Sequence, residues 1–339
     1  MNSSEDRYSN FALVKEMLET PGIVAAFDPA QVAEAAAEIA STGRLLMTGE
    51  GSSRIFPAKS AILHSRRAGF DLVLHTEAGR QACEYDLSDW AVFALSNSGQ
   101  TAEVIRLYSR LKETGHERLY SLSAKANSML EEFANRGFVL TCGDEDAVAA
   151  TKSVAEQALF YRALVEHAAG ASTLSEKLAG LGQQIEQALT TGIDPALVER
   201  IAKAGTIYWA GRNDGVAEEL TLKTNEITRK KSDFLEGTYA VHGIEEVMDA
   251  DDVVLWVEPY EESEDKFRKV LCDGVGLDII AISSRETSFP TIRIPDGEDL
   301  AEFVQLAAGW NVLVDVGIAL GIDLDKPERA RKVGNEFTG

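Results

Sequence analysis

Two short segments carry residue types that can hold an anion without a cation. Gly49-Glu50-Gly51-Ser52-Ser53 closes the apolar run RLLMTG, and Ser96-Asn97-Ser98-Gly99-Gln100-Thr101 follows AVFAL and leads into a helical stretch opening at Ala102. Glycines let the backbone approach an anion, and hydroxyls together with the N–H groups of a helix start donate to phosphate oxygens. Either loop alone reads as a turn or an N-cap. Two hydroxyl-rich loops after two strands of one half point instead to a shared anion site. Its candidate residues are Gly51, Ser52, Ser53, Ser96, Asn97, Ser98 and Thr101. The dinucleotide fingerprint G-x-G-x-x-G is not met, because Arg54 stands where its third glycine would be. No cofactor is expected.

The rest of the chain constrains what such a site serves. The net charge is −22, from 55 acidic and 33 basic side chains. A surface that negative repels nucleic-acid backbones and anionic lipids, so neither nucleic acid nor membrane is an expected partner. It also requires an anionic ligand to be held by local N–H and O–H donors. Cys83, Cys142 and Cys272 lie far apart and form no CxxC, and the five histidines show no ligand spacing, so neither a disulfide framework nor a metal site is expected. MNSSEDRYSN is polar, with no apolar signal-peptide core, and no run suits a membrane span, which makes a cytoplasmic protein the expectation.

The elements that must position these loops repeat along the chain. RLLMTG and TIYWAG, AVFALSNS and VVLWVEPY, and RLYSLSA and DIIAISS recur in the same order at nearly one offset. Between them, in the first half, VAEAAAEIAS, FPAKSAILHSRRAG, AEVIRLYSRLKETG and SMLEEFANR read as helices, while DLVLHT and GFVLTC read as strands. Short β-rich runs alternating with amphipathic helices predict βαβ crossovers. The expected fold class is α/β, with two tandem domains, each a doubly wound parallel sheet sandwiched by helices. The expected boundaries are a helical lead over 1–27, a first domain over 28–175 carrying the loops, and a second over 176–339. The stretch 153–192 reads as a connector, broken at Gly170 and Gly182.

GEGSS, LSNSGQTAEV and AVAATKS (147–153) together resemble the sugar isomerase (SIS) domain family. Their order and spacing are similar to the isomerase half of glucosamine-6-phosphate synthase and to stand-alone amino-sugar-phosphate deaminases and isomerases. The likeness runs from about residue 20 to the end, so both expected domains are read as SIS domains. The resemblance implies that Ser53, Ser96, Asn97, Ser98 and Thr101 hold phosphate and sugar. It also implies that Lys223 and Glu226 form a K-x-x-E helix whose glutamate moves a proton between sugar carbons. His242 matches the ring-opening histidine, contributed across a homodimer, and Lys332 the lysine that closes over the open-chain sugar. A carboxylate that shuttles hydrogen between C1 and C2 and a near-neutral acid–base group are what aldose–ketose interconversion needs. Without the resemblance, Glu226 is one glutamate on a charged helix and Lys332 a lysine near a terminus. Glu77 and Lys152 are secondary candidates, and His64, His75, His116 and His167 are read as structural or exposed.

The implied activity is phosphosugar isomerisation of a hexose- or hexosamine-6-phosphate, with or without deamination. The alternatives are a fructosamine-6-phosphate deglycase and a non-catalytic sugar-phosphate sensor. Glutamine-dependent synthesis is not expected, since no glutaminase segment precedes the first half. Ala150 replaces a family serine, and Tyr239-Ala240-Val241-His242-Gly243-Ile244 lacks the family's glutamate and proline near the histidine. Both changes bear on the substrate.

Overall fold

The computed structural model describes residues 1–331 and 335–338. Its first sheet contains β1 (Arg44–Gly49), β2 (Val73–Ala78), β3 (Ala91–Leu95), β4 (Leu119–Ser123) and β5 (Arg136–Val139) in the order β2-β1-β3-β4-β5. All four ladders are parallel. β3 and β4 are buried along their whole length, as parallel strands covered on both faces must be. Phe93 on β3 stacks on Tyr120 and Phe138 and meets Phe160 and Tyr161 of the helix Lys152–Ala168. That helix is not the connector the sequence predicts. It is buried from Lys152 to Glu166 and packs on the helices Ile55–Ala68 and Ala33–Thr42, as an all-round buried helix of the core. Gly170 does end its run, whereas Gly182 lies inside the helix Leu178–Thr190.

The second sheet holds β6 (Thr206–Gly211), β7 (Lys231–Glu236), β8 (Val253–Val257), β9 (Asp278–Ser283) and β10 (Thr291–Arg293) in the order β10-β9-β8-β6-β7, again all parallel. Trp256 on β8 stacks on Phe267 with ring centroids 3.7 Å apart. The helix Val216–Lys223 packs on Ala301–Ala319 where Gly309 admits Leu220; a β-carbon at Gly309 would lie 2.3 Å from the leucine side chain.

The expectation of two tandem SIS domains is corrected here. The chain is α/β, with two parallel five-stranded sheets flanked by helices in a manner consistent with double winding. Its two compact units, however, are not consecutive stretches. One comprises Met1–Pro21, Asp146–Ala149 and Gly180–Ala330; the other comprises Gly22–Glu145, Ala150–Ala179 and the described residues from Arg331 onward. The crossovers differ as well. Helix Ala102–Glu113 follows β3, whereas the four-residue helix Glu264–Phe267 and a π-helical turn over Arg268–Val275 follow β8. Buried parallel strands all read as short apolar runs, so their recurrence in sequence reports sheets and not the family of each half. Among the described residues, no helix is long and apolar enough to cross a membrane.

Candidate functional site

Ser53 and the Ser96–Thr101 loop lie at the carboxyl ends of neighbouring strands β1 and β3, where ligands bind in open α/β sheets. Gly51–Ser53 form a tight 3₁₀ turn, and Gln157 of helix Lys152–Ala168 donates to Ser53 Oγ at 3.4 Å. The second loop is held by its own hydroxyls. Ser96 Oγ lies 2.8 Å from Thr101 Oγ1 and accepts from Gly99 N–H at 3.1 Å, while Ser98 Oγ accepts from Gln100 N–H at 3.1 Å. Gly99 has φ +66°, and a β-carbon there would lie 2.3 Å from the Ser128 β-carbon, so only glycine fits.

A residue the sequence reasoning passed over organises this loop. The buried carboxylate of Glu145 accepts from Thr151 N–H (2.8 Å), Ser153 N–H (3.2 Å), Ser153 Oγ (2.7 Å) and Asn97 Nδ2 (2.8 Å). It thereby fills the amino end of helix Lys152–Ala168 with a negative charge. The only available signal was an acidic residue just before V-A-x-T-K, in a run with two other acidic residues. The N–H of Ala102, expected to face an anion, is taken by the Asn335 carbonyl at 3.1 Å, and Phe337 N–H donates to Gln100 O at 3.1 Å. Residues 335–337 therefore lie along the start of helix Ala102–Glu113. Glu50, inside the first loop, accepts from Gly79 N–H at 3.0 Å; burial pushes its carboxyl above the usual range, against the pull of that N–H.

Lys223, Glu226 and His242 belong to the other compact unit. Lys223 is fully buried, 2.7 Å from Glu226 and 3.4 Å from Glu219, whereas the Glu226 side chain is 26% exposed. The helix changes from α to π over Thr224–Thr228, an insertion frequent at functional sites, and Glu226 sits at its middle. Thr224 Oγ1 receives the Trp209 indole N–H at 2.7 Å and donates to Leu220 O at 2.7 Å. His242 ends the turn Tyr239–Val241 and is exposed, with Gly243 following at φ +112°. Lys332 lies outside the described residues.

The secondary candidates are occupied locally. Glu77 accepts from its own strand's Ala78 N–H and from Tyr85 OH, and Lys152 is buried at the start of its helix. His64 packs 3.4 Å from the buried Glu166, which also pairs with Arg162 at 2.7 Å. His116 is tied to the backbone at both ring nitrogens.

Residues 38–167, which contain both hydroxyl loops and Glu145, match the family model of the SIS domain. The chain is 26% identical over 255 residues to the glutamine–fructose-6-phosphate aminotransferase (isomerizing) of Sulfolobus acidocaldarius, covering 71% of this chain and 42% of that protein. The chain thus spans less than half the length of that relative. Among solved structures, the C-terminal domain of glucosamine-fructose-6-phosphate aminotransferase from Francisella tularensis superposes with TM-score 0.77 at 18% identity, over 96% of this chain and 100% of that one. Glucosamine-6-phosphate deaminase from Thermotoga maritima gives 0.74 at 18% identity, over 95% and 99%. At these identities the superpositions show a shared fold.

Proposed function

We propose that this chain is a phosphosugar-transforming enzyme that isomerises a hexose- or hexosamine-6-phosphate, with deamination as a variant outcome. The observation that carries the reading is the pair of hydroxyl loops at the ends of β1 and β3, inside the segment matched as an SIS domain. The named relatives act on fructose 6-phosphate and glucosamine 6-phosphate, which favours a six-carbon sugar phosphate. In this reading Ser52, Ser53, Ser98 and Thr101 donate to the phosphate, and Gly51 and Ser96 shape the loops. His242 transfers the proton that opens the ring. Glu226 then takes the proton from C2 of the open-chain aldose and returns it to C1, while a proton moves from O2 to O1. In a 2-amino sugar the same shift leaves an imine at C2, where water displaces ammonia. Lys223 supports this role by holding the Glu226 carboxylate in place at 2.7 Å. Lys332 is assigned to the developing negative charge on oxygen. Tyr239 (51% exposed) and Val247 (68% exposed) are large apolar side chains flanking His242, and they support a homodimer contact around that histidine.

The test is deuterium incorporation followed by NMR. Wild type and Glu226→Gln are incubated in D₂O with hexose, hexosamine and fructosamine 6-phosphates. Label at C1 or C2 with wild type alone is the expected result, and release of ammonia or of an amino acid distinguishes deamination from deglycation. Binding by several sugars without exchange of any would replace the enzyme by a sensor.

A further inference from the structure

We infer that Asn97 is a sugar-reading residue that presents a hydrogen-bond acceptor, and that Glu145 is the positioning residue that makes it so. Each of the four contacts described for Glu145 at hydrogen-bond distance comes from a donor: two backbone N–H groups, the Ser153 hydroxyl and Asn97 Nδ2. A carboxylate that takes four donors is ionised and accepts only. The amide of Asn97 must then turn its nitrogen toward Glu145, because its oxygen there would face another acceptor. Asn97 Nδ2 also lies 3.1 Å from Ser153 Oγ, whose own hydrogen is committed to the same Glu145 oxygen, so the amide nitrogen is the atom that faces this pair. Asn97 Oδ1 makes no hydrogen bond among the described residues, and the side chain is partly exposed.

A free carbonyl oxygen repels phosphate oxygens, which at neutral pH are almost entirely acceptors. It attracts a hydroxyl or a protonated amine. Asn97 therefore stands apart from its neighbours in the loop. Ser98 and Thr101 carry hydroxyls that rotate to donate, whereas Asn97 is locked as an acceptor by a buried charge. Resting on the proposed phosphosugar reading, this names the ligand group that Asn97 takes: an O–H or N–H of the sugar, not the phosphate.

The experiment compares affinities for inorganic phosphate and for the sugar 6-phosphate panel by calorimetry. In Glu145→Gln, the new amide keeps its oxygen on the helix N–H groups and turns its NH₂ toward Asn97, which flips and presents a donor. The expected result is affinity for the sugar phosphates lower by about tenfold, the size of one lost hydrogen bond, with inorganic phosphate changed less than about twofold. The exchanged pair Glu145→Gln with Asn97→Asp keeps the charge and restores an outward acceptor, and it recovers the sugar-phosphate affinity. It also controls for a misfolded single variant. Parallel weakening of both ligands, or no change in either, overturns the inference. If wild type binds none of these probes, the functional reading fails, and the orientation is judged without ligand. The side-chain amide protons of Asn97 are expected to exchange slowly in wild type and rapidly in Glu145→Gln; fast exchange in wild type overturns it.

Discussion

The ammonium of Lys223 lies between two carboxylates of its own helix, 2.7 Å from Glu226 ahead of it and 3.4 Å from Glu219 behind. Glu219 and Lys223 are fully buried, whereas Glu226 reaches solvent. The lysine thus links a buried negative charge to one that can meet a ligand. It holds the accessible carboxylate in place by a 2.7 Å hydrogen bond.

Replacing Lys223 by methionine keeps an unbranched side chain one atom shorter and removes the charge. Breaking a buried ion pair from one side costs about 3–5 kcal/mol, since the remaining carboxylate keeps its desolvation cost. Urea unfolding followed by circular dichroism is expected to show a loss of that size, with part of it recovered when Glu219→Gln is added. A loss below about 1 kcal/mol would mean that other groups carry the Glu219 charge.

How much of this was legible beforehand differs between sheet and site. The inner strands of both sheets show in the sequence because burial on both faces demands apolar runs, as in AVFAL and VVLWV. The edge strands β7 and β10, with only part of their length buried, carry no such run and do not show there. The loops show because their glycines and hydroxyls cluster. Glu145 did not show: its role comes from a fold that brings residues 97, 145, 151 and 153 together, and no local pattern encodes that meeting. The π turn at Thr224 was hidden too, because TLKTNEIT has the composition of an ordinary helix. Helix Lys152–Ala168 was misread for a related reason. Its charged residues Glu156, Arg162 and Glu166 look solvent-facing in sequence, yet all are buried and partnered.

The buried cluster around Glu166 gives a pH dependence with a defined sign. Burial pushes this carboxyl up, but the His64 ring at 3.4 Å, the Arg162 hydrogen bond and charge, and the Thr173 N–H outweigh it and hold the group at about 2, below its ordinary 4.5. A depressed carboxylate stabilises the fold fully above pH 4.5 and loses that contribution as pH falls toward 2. The difference corresponds to about 3 kcal/mol. Unfolding free energy measured from pH 6 down to pH 2.5 should therefore fall more steeply in wild type than in Glu166→Gln. Parallel curves for the two proteins would show that the cluster does not set the acid limb.

The hydrogen bond from Trp209 to Thr224 separates anchoring from chemistry. The indole N–H on β6 is fully buried and meets the Thr224 hydroxyl at 2.7 Å, where the helix changes from α to π and carries Glu226 two residues on. Thr224→Val preserves shape and leaves the indole N–H without a partner, at a cost of about 1–3 kcal/mol. It also removes the tie that fixes the π turn against the sheet, so Glu226 is no longer held in register. Thr224→Ser keeps the hydroxyl and should match wild type in both respects. In the deuterium-exchange assay, the expected outcome for the valine variant is a lower kcat with KM nearly unchanged, because the hydroxyl loops proposed to take the phosphate belong to the other compact unit. A rise in KM at constant kcat would instead assign this turn to ligand binding and take the proton transfer away from Glu226.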